Sequence, residues 1–534
     1  MDFTLKVEAV LEQQHEVANI SDTAITPDSL PSSTKPTSLK SPWEVAAENP
    51  CNWPAWRKFM ILFVCGLAVL NTTIASSLPS MAMSDIAREF KIDSALQKQL
   101  PISVFLIGYI FGPVVSGPLS EHVGRRRLLL LFLSINILFT LGCALAPTWW
   151  SFLLFRLLAG TGGSAPLGVV PGTLADIFAE PHIRGLSFSI LSITVILGAC
   201  LGPVVSGLTV AKLGWRWAFW VGLIMAVVTS LLLYVFLRET RANVLLSRLY
   251  PQFRRSSTVS MTGNTSKDKR PPVIKAVLAR PFRMLIFEPV VTASCIHLAL
   301  SYAIFYVSFS VIPFIFLSVY KLPPSITGLC FLPIAIGSCL SLPIIWYWDG
   351  IVARGRTQGH AWTSRDEYLR MPPVALGGLL FTISVFWLGF TARPDIPFSV
   401  PLLAGLPFGV GFALIYGELA NYLTDAYHVF AASAHAASTM TRSTLAVLLP
   451  LATPSLFARL GISGTCALLG GLSGLMTFVP FLFIYFGPTL RARSPFAIIL
   501  GRSERRASVA DEGLFSGEDL MEAKSPCHTK GAVV

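Results

Sequence analysis

The chain has 534 residues, 53% of them hydrophobic and only 13% charged, against about 25% charged in an average soluble domain, which argues against a soluble enzyme. Its net charge of +12 hides an uneven distribution: residues 57 to 487 carry 31 basic and 15 acidic side chains, and the ends carry the rest. The basic residues border apolar runs and are not interleaved with base-stacking aromatics, so they read as topology-setting charge and not as a nucleic-acid surface. Nine cysteines, most of them inside apolar runs, give no spaced pairs for a disulfide framework or a zinc site, and the sequence calls for no metal or other cofactor.

Residues 1 to 56 are polar, net negative and free of the basic start and short apolar core of a secretory signal, which predicts a disordered cytoplasmic tail. Apolar spans then follow at 57 to 81, 99 to 120, 127 to 146, 148 to 176, 184 to 210 and 215 to 237. A basic stretch comes next, in which residues 238 to 283 hold 11 basic and 2 acidic side chains. Six further spans run 286 to 318, 326 to 348, 372 to 392, 397 to 421, 431 to 460 and 463 to 487. Each is long enough to cross the hydrocarbon core at about 20 residues per helix, and the longest must tilt, bend or extend beyond it. The last stretch, 488 to 534, reads as a second cytoplasmic tail, in which Arg505-Arg506-Ala507-Ser508 resembles a basic-directed kinase site.

The expected fold is therefore an all-α polytopic membrane protein of twelve helices. It divides into an N-terminal six-helix bundle (57 to 237), a linker (238 to 285) and a C-terminal six-helix bundle (286 to 487). Placing both termini on one side gives that side 23 flanking basic residues and the other 8, so both termini are expected in the cytoplasm. The linker would then be cytoplasmic too, and its Asn264-Thr265-Ser266 sequon would never meet the glycosylation machinery. Two halves joined this way suit a carrier that rocks about a site at the bilayer midplane.

After the second span stands Gly117-Pro118-Leu119-Ser120-Glu121-His122-Val123-Gly124-Arg125-Arg126-Arg127. Glycines permit a tight turn, and an acid followed by a basic cluster can pair with helix ends and facing charges. The spacing resembles the loop signature of the major facilitator superfamily, with Glu121 where Asp is usual and His122 where Arg is usual. The resemblance implies that Gly117, Glu121, Gly124 and Arg125 belong to a latch between the halves. The fifth span contains Gly198-Ala199-Cys200-Leu201-Gly202-Pro203-Val204-Val205-Ser206-Gly207. Gly198 and Gly202 allow close helix approach and Pro203 favours a bend, while the whole run, through Gly207, is similar to the signature of the superfamily's drug:proton antiporters.

Three further stretches resemble the fungal twelve-span drug:proton antiporters, the multidrug and toxin efflux subgroup. They are Asn49-Pro50-Cys51-Asn52-Trp53, Arg280-Pro281-Phe282-Arg283-Met284-Leu285 with Glu288-Pro289, and Asn421-Tyr422-Leu423-Thr424-Asp425-Ala426-Tyr427. Ser310 stands where many polyamine-exporting relatives carry Glu, which weakens a polyamine reading.

Ionisable groups inside a membrane cost several kcal/mol unless paired or wet, so each is a functional hypothesis. Arg156 matches a fourth-span motif that the resemblance associates with proton coupling, with pairing to backbone carbonyls as the structural alternative. Arg442 lies about eleven residues into the eleventh span, near the midplane, and His435, Ser438, Thr439 and Arg442 form one polar stripe. His435 could titrate or simply pack. Glu418 is the deepest acid of the second half and a candidate proton carrier, although it sits about 200° around its helix from Tyr416. Glu288 stands near the entrance of the seventh span, within reach of Arg280 and Arg283.

Tyr302, Phe305, Tyr306 and Phe309 make an aromatic stripe on the seventh span, and Phe408, Phe412 and Tyr416 make another on the tenth. The resemblance implies that spans one, four, seven and ten line the cavity, so these stripes either wall a site for a flat apolar ligand or pack helices. Asn71 on the first span would add a polar contact.

These features point to a proton-coupled exporter of hydrophobic or amphipathic small organic compounds, acting by alternating access, as a monomer in the plasma membrane or the vacuolar membrane. The partners implied are a small-molecule substrate, protons as coupling ion and the lipid bilayer. The alternatives are a polyamine or nutrient carrier of the same fold and a non-transporting nutrient sensor. Against a sugar importer, Leu237-Arg238-Glu239-Thr240-Arg241 lacks a proline-started signature after the sixth span. No phosphate-binding Gly-Lys-Ser loop or nucleophile elbow supports an enzyme.

Overall fold

A computed structural model describes residues 48–249, 273–427 and 431–492. The first 47 residues of the N-terminal tail, the sequon at 264–266 and the kinase-like site at 505–508 lie outside the described residues. Eleven helical stretches are long and apolar enough to cross a membrane: α1 (Ala55–Glu89), α2 (Gln97–Glu121), α3 (Arg125–Leu145), α4 (Trp149–Ile177), α5 (Ile183–Leu213), α6 (Trp215–Phe236), α7 (Pro289–Val319), α8 (Pro324–Thr357), α9 (Glu367–Thr391), α10 (Ser399–Tyr427) and Ser433–Gly487. The last is 55 residues long, more than twice what a bilayer needs. Gly461 breaks it at φ 67, in the left-handed region that glycine adopts without a Cβ penalty. It is thus two spans, α11 (433–460) and α12 (462–487), and the twelve expected helices are present.

Proline and small polar residues set where the long spans bend. In α1 the helix Ala55–Ser77 gives way at Leu78 to Pro79–Glu89. In α4 it gives way after Gly163, at Ser164, to a segment with Pro166 in its first turn. Pro suits a helix start because its missing N–H has no intrahelical partner there. Thr148 closes the start of α4 with a capping box to Ser151.

The two halves pack by the same plan. In the first, α1 lies on α5 and α6, and both α2 and α3 lie on α4; in the second, α7 lies on α11, and both α8 and α9 lie on α10. Across the halves, α2 meets α11 and α5 meets α8, which are corresponding pairs in a two-fold arrangement. Large apolar side chains such as Trp150, Leu231, Trp346 and Tyr485 remain exposed on the outside, as a lipid-facing surface requires.

The face carrying the Gly124 turn is called here the signature face. Near it, Asn421 Nδ2 of α10 lies 3.5 Å from Gly185 O and 3.4 Å from Ser189 Oγ of α5. At the opposite face, Ser310 of α7 donates to Gln99 Oε1 in the first turn of α2 at 2.7 Å, and Ser103 of α2 reaches Val447 O of α11. Between them, the Ser76 and Tyr306 hydroxyls meet at 3.0 Å. The halves therefore touch at both faces and at the centre.

Candidate functional site

The two aromatic stripes face each other inside the second half. Phe305 stacks on Phe412 with ring centroids 4.6 Å apart, Phe408 packs on Phe381 of α9, and Phe309 stacks on Phe331 at the start of α8. The four stripe phenylalanines, Phe305, Phe309, Phe408 and Phe412, are buried and pack in the core in this conformation. The tyrosines on the same stripes differ. Tyr302 and Tyr306 are 5.0 Å apart, Tyr302 stacks near Tyr416, and Tyr306 reaches Ser76 of the other half. Tyr109 of α2 donates to Thr72 O from the first half. A buried centre of phenolic hydroxyls thus sits where the halves meet.

Two arginines flank it. Arg156 donates to Ala75 O (2.8 Å), Pro101 O (2.9 Å) and Ser76 O (3.0 Å), and its guanidinium lies 4.3 Å from the centre of the Phe105 ring. The bend of α1 near Leu78 and the start of α2 supply those carbonyls. Arg442 donates to the Tyr416 hydroxyl and lies 5.1 Å and 4.9 Å from the Tyr302 and Tyr416 ring centres. Its Nε has no hydrogen-bond partner among the described residues although the residue is only 5% exposed. Asn71 is buried as well, about 140° around α1 from Ser76, and its amide has no hydrogen-bond partner among the described residues.

Glu418 is buried near the signature face and belongs to an ion network. Arg370 at the start of α9 bonds Glu418 and Asp425 at 3.1 Å each, and Ser189 of α5 lies 3.4 Å from Glu418 across the halves. His435 meets Thr424 Oγ1 at 2.8 Å and stacks on Phe188 of α5, nearly parallel, so it too lies at this closure. Glu288 accepts from the Tyr427 hydroxyl. His297 on α7, 1% exposed with no hydrogen-bond partner for its Nδ1 among the described residues, was not singled out from the sequence.

The loop signature folds around Arg125. Its side chain bonds Asp176 at 3.1 Å and Ser120 at 2.7 Å, and its backbone N–H donates to Glu239. Gly124, at φ 104, passes so close to Glu239 that a Cβ would lie 2.4 Å from its carboxylate. Gly117, in contrast, sits inside α2 with open space around it; the turn needs Gly124 and not Gly117. Glu121 is 4.0 Å from Arg241 and within electrostatic reach of Arg280 on the helix Val273–Phe287 that leads into α7. Burial pulls the Arg280 guanidinium below its ordinary range, and Glu121 opposes that shift.

The fifth-span glycines bring two neighbours in. A Cβ on Gly198 would lie 2.0 Å from Thr73 Oγ1, and one on Gly202 would lie 2.0 Å from Ser77 Oγ; Ser77 donates to Ala199 O at 2.7 Å. The other end of the run meets the second half, where a Cβ on Gly207 would lie 2.7 Å from Pro324 O and one on Gly328 would lie 2.6 Å from Pro203 O. One motif therefore packs α5 on α1 and on α8.

Sequence reasoning missed Arg370, Asp176 and Asp425. An internal repeat could have found the aspartates: Leu174-Ala175-Asp176-Ile177-Phe178 ends α4 and Leu423-Thr424-Asp425-Ala426-Tyr427 ends α10. Each aspartate binds an arginine that opens the preceding span, Arg125 or Arg370.

The Major Facilitator Superfamily profile matches residues 61–450. The chain is 32% identical over 461 residues to the citrinin biosynthesis cluster MFS transporter mrr1 of Monascus ruber, covering 84% of this chain and 90% of that one. It is 31% identical over 490 residues to the efflux pump FUB11 of Gibberella moniliformis, covering 90% and 82%. Among solved structures, the proton:xylose symporter XylE of E. coli superposes with a TM-score of 0.58 at 19% identity, over 81% of this chain and 96% of that one, a likeness of fold. With its twelve spans, paired halves and curated fungal efflux relatives, the chain belongs to the major facilitator superfamily of membrane transporters.

Proposed function

We propose that this transporter exports hydrophobic or amphipathic organic compounds, of the kind fungi make or encounter as toxins, across the plasma membrane in exchange for protons. The observation that carries the coupling is the Arg370–Glu418–Ser189 contact, in which a buried carboxylate joins α9 and α10 to α5 of the other half. The two arginines at the centre stay charged at any physiological pH and cannot themselves carry the proton. Glu418 can. A proton on it cancels its charge, leaves Arg370 to Asp425 and weakens the closure at the signature face, which the basic loops assign to the cytoplasm.

The cycle follows from that sign. With the cytoplasmic closure locked, the other face opens, substrate leaves and a proton reaches Glu418. The lock then loosens, the cytoplasmic face opens, the proton departs and a new substrate loads. The tyrosine cluster at the centre provides the contact surface, since its rings are apolar while its hydroxyls orient a ligand. The name of one of these fungal relatives, the efflux pump FUB11, supports the direction of transport.

The test is accumulation of a panel of labelled apolar drugs, fungal metabolites and spermidine in cells with and without the protein, each with and without a protonophore. Lower accumulation of apolar compounds that the protonophore reverses is the expected result. Uphill export that persists with the proton gradient collapsed overturns the coupling.

A further inference from the structure

We propose that Arg442 is an anchor for the carboxylate of an aromatic substrate, so that the preferred cargo is an amphipathic organic acid. This rests on the export reading above and narrows its substrate class.

Of the 31 basic residues between 57 and 487, only Arg156 and Arg442 lie well inside spans, and their surroundings differ. Arg156 has three main-chain carbonyls, one on each of its three guanidinium nitrogens. Arg442 donates to one phenol, Tyr416, and its buried Nε has no hydrogen-bond partner among the described residues. The groups in electrostatic reach of it are the phenols of Tyr416, Tyr302, Tyr306 and Tyr109, the Cys295 thiol and the His435 imidazole, and none of these is a carboxylate. The deepest acid, Glu418, stands about 200° around α10 from Tyr416 and is held by Arg370. A buried guanidinium without a carboxylate is costly, and arginine cannot shed its proton to relieve that cost.

A carboxylate is the ligand group that answers this arrangement, because its two oxygens match the planar fork of a guanidinium. The rings fit the remainder of such a ligand. Tyr302 and Tyr416 flank Arg442, stand 6.2 Å apart and are tilted by only 24°, and Phe412 lies beside both. An aromatic body entering between these rings places its acid group at Arg442. Tyr306, next to Tyr302, contacts Ser76 of the first half, so the ligand would bind at the surface where the halves part.

The test is equilibrium binding of radiolabelled 1-naphthoate and 1-naphthamide, which share shape and differ in charge, to the purified full-length protein. Wild type is expected to prefer the acid by about tenfold or more, the scale of a hydrogen bond to a charged group. The ratio should fall to near unity in Arg442→Gln and keep a reduced preference in Arg442→Lys. Equal binding of the two probes by wild type, no binding of naphthoate, or a preference that survives in Arg442→Gln overturns the proposal, and the wild-type comparison stands even where a variant does not fold. Protonophore-sensitive export by a chain that binds both probes equally keeps the transport reading and removes this one. Acid preference without such export does the reverse.

Discussion

Arg156 donates to Ala75, Ser76 and Pro101 at a point where α1 bends and α2 begins, so it ties three helices together through main-chain carbonyls. Its replacement leaves buried acceptors unpaired, at about 1–3 kcal/mol for each such group. Arg156→Ala is therefore expected to lower thermal stability clearly, and Arg156→Lys less, in melting curves of the detergent-purified protein. An unchanged melting temperature in Arg156→Ala would remove that structural role. Both central arginines were legible in the sequence because a charge inside an apolar run stands out. Arg370 was not, since it lies at the edge of a span beside Arg365, Asp366 and Glu367, and only the tertiary fold directs it to Glu418.

At the scale of the element, α5 is placed by glycines with separate partners. Gly202→Val would drive a side chain into Ser77 and Ile74 of α1, and overpacking of this kind costs about 1–3 kcal/mol. The expected result is lost transport and a lower melting temperature. Gly117→Ala, in open space within α2, should leave both near wild type although it belongs to the loop signature. Equal damage from the two substitutions would show that the contacts do not explain the motifs. The twelve spans and the α11/α12 division were readable from hydropathy because the bilayer imposes one length on every crossing. The face of each aromatic stripe was also readable from its period. Its role was not, because a stripe that packs on a neighbouring helix and one that walls a cavity have the same spacing. The structure separates Phe305 and Phe412, stacked in the core, from Tyr302, Tyr306 and Tyr416, grouped around Arg442 and Ser76.

At the scale of the whole molecule, the halves touch at both faces and through the centre, and under the proposed alternating access either face would open by releasing its own contacts. The signature-face contacts carry titratable groups, Glu418 and His435, while those at the opposite face rest on glycines, Pro203 and the Gln99–Ser310 hydrogen bond. Under the proposed cycle, that asymmetry would let a proton select which face opens. It places the central claim on Glu418, and the direct measurement is proton movement accompanying substrate movement. Proteoliposomes holding the full-length protein are loaded with a transported compound and a pH-sensitive dye, then diluted into substrate-free buffer with no imposed pH gradient. Exit of substrate should acidify the interior in wild type, and Glu418→Gln should break that link. Substrate leaving wild-type vesicles with no change in internal pH, or acidification that persists undiminished in Glu418→Gln, would contradict the account.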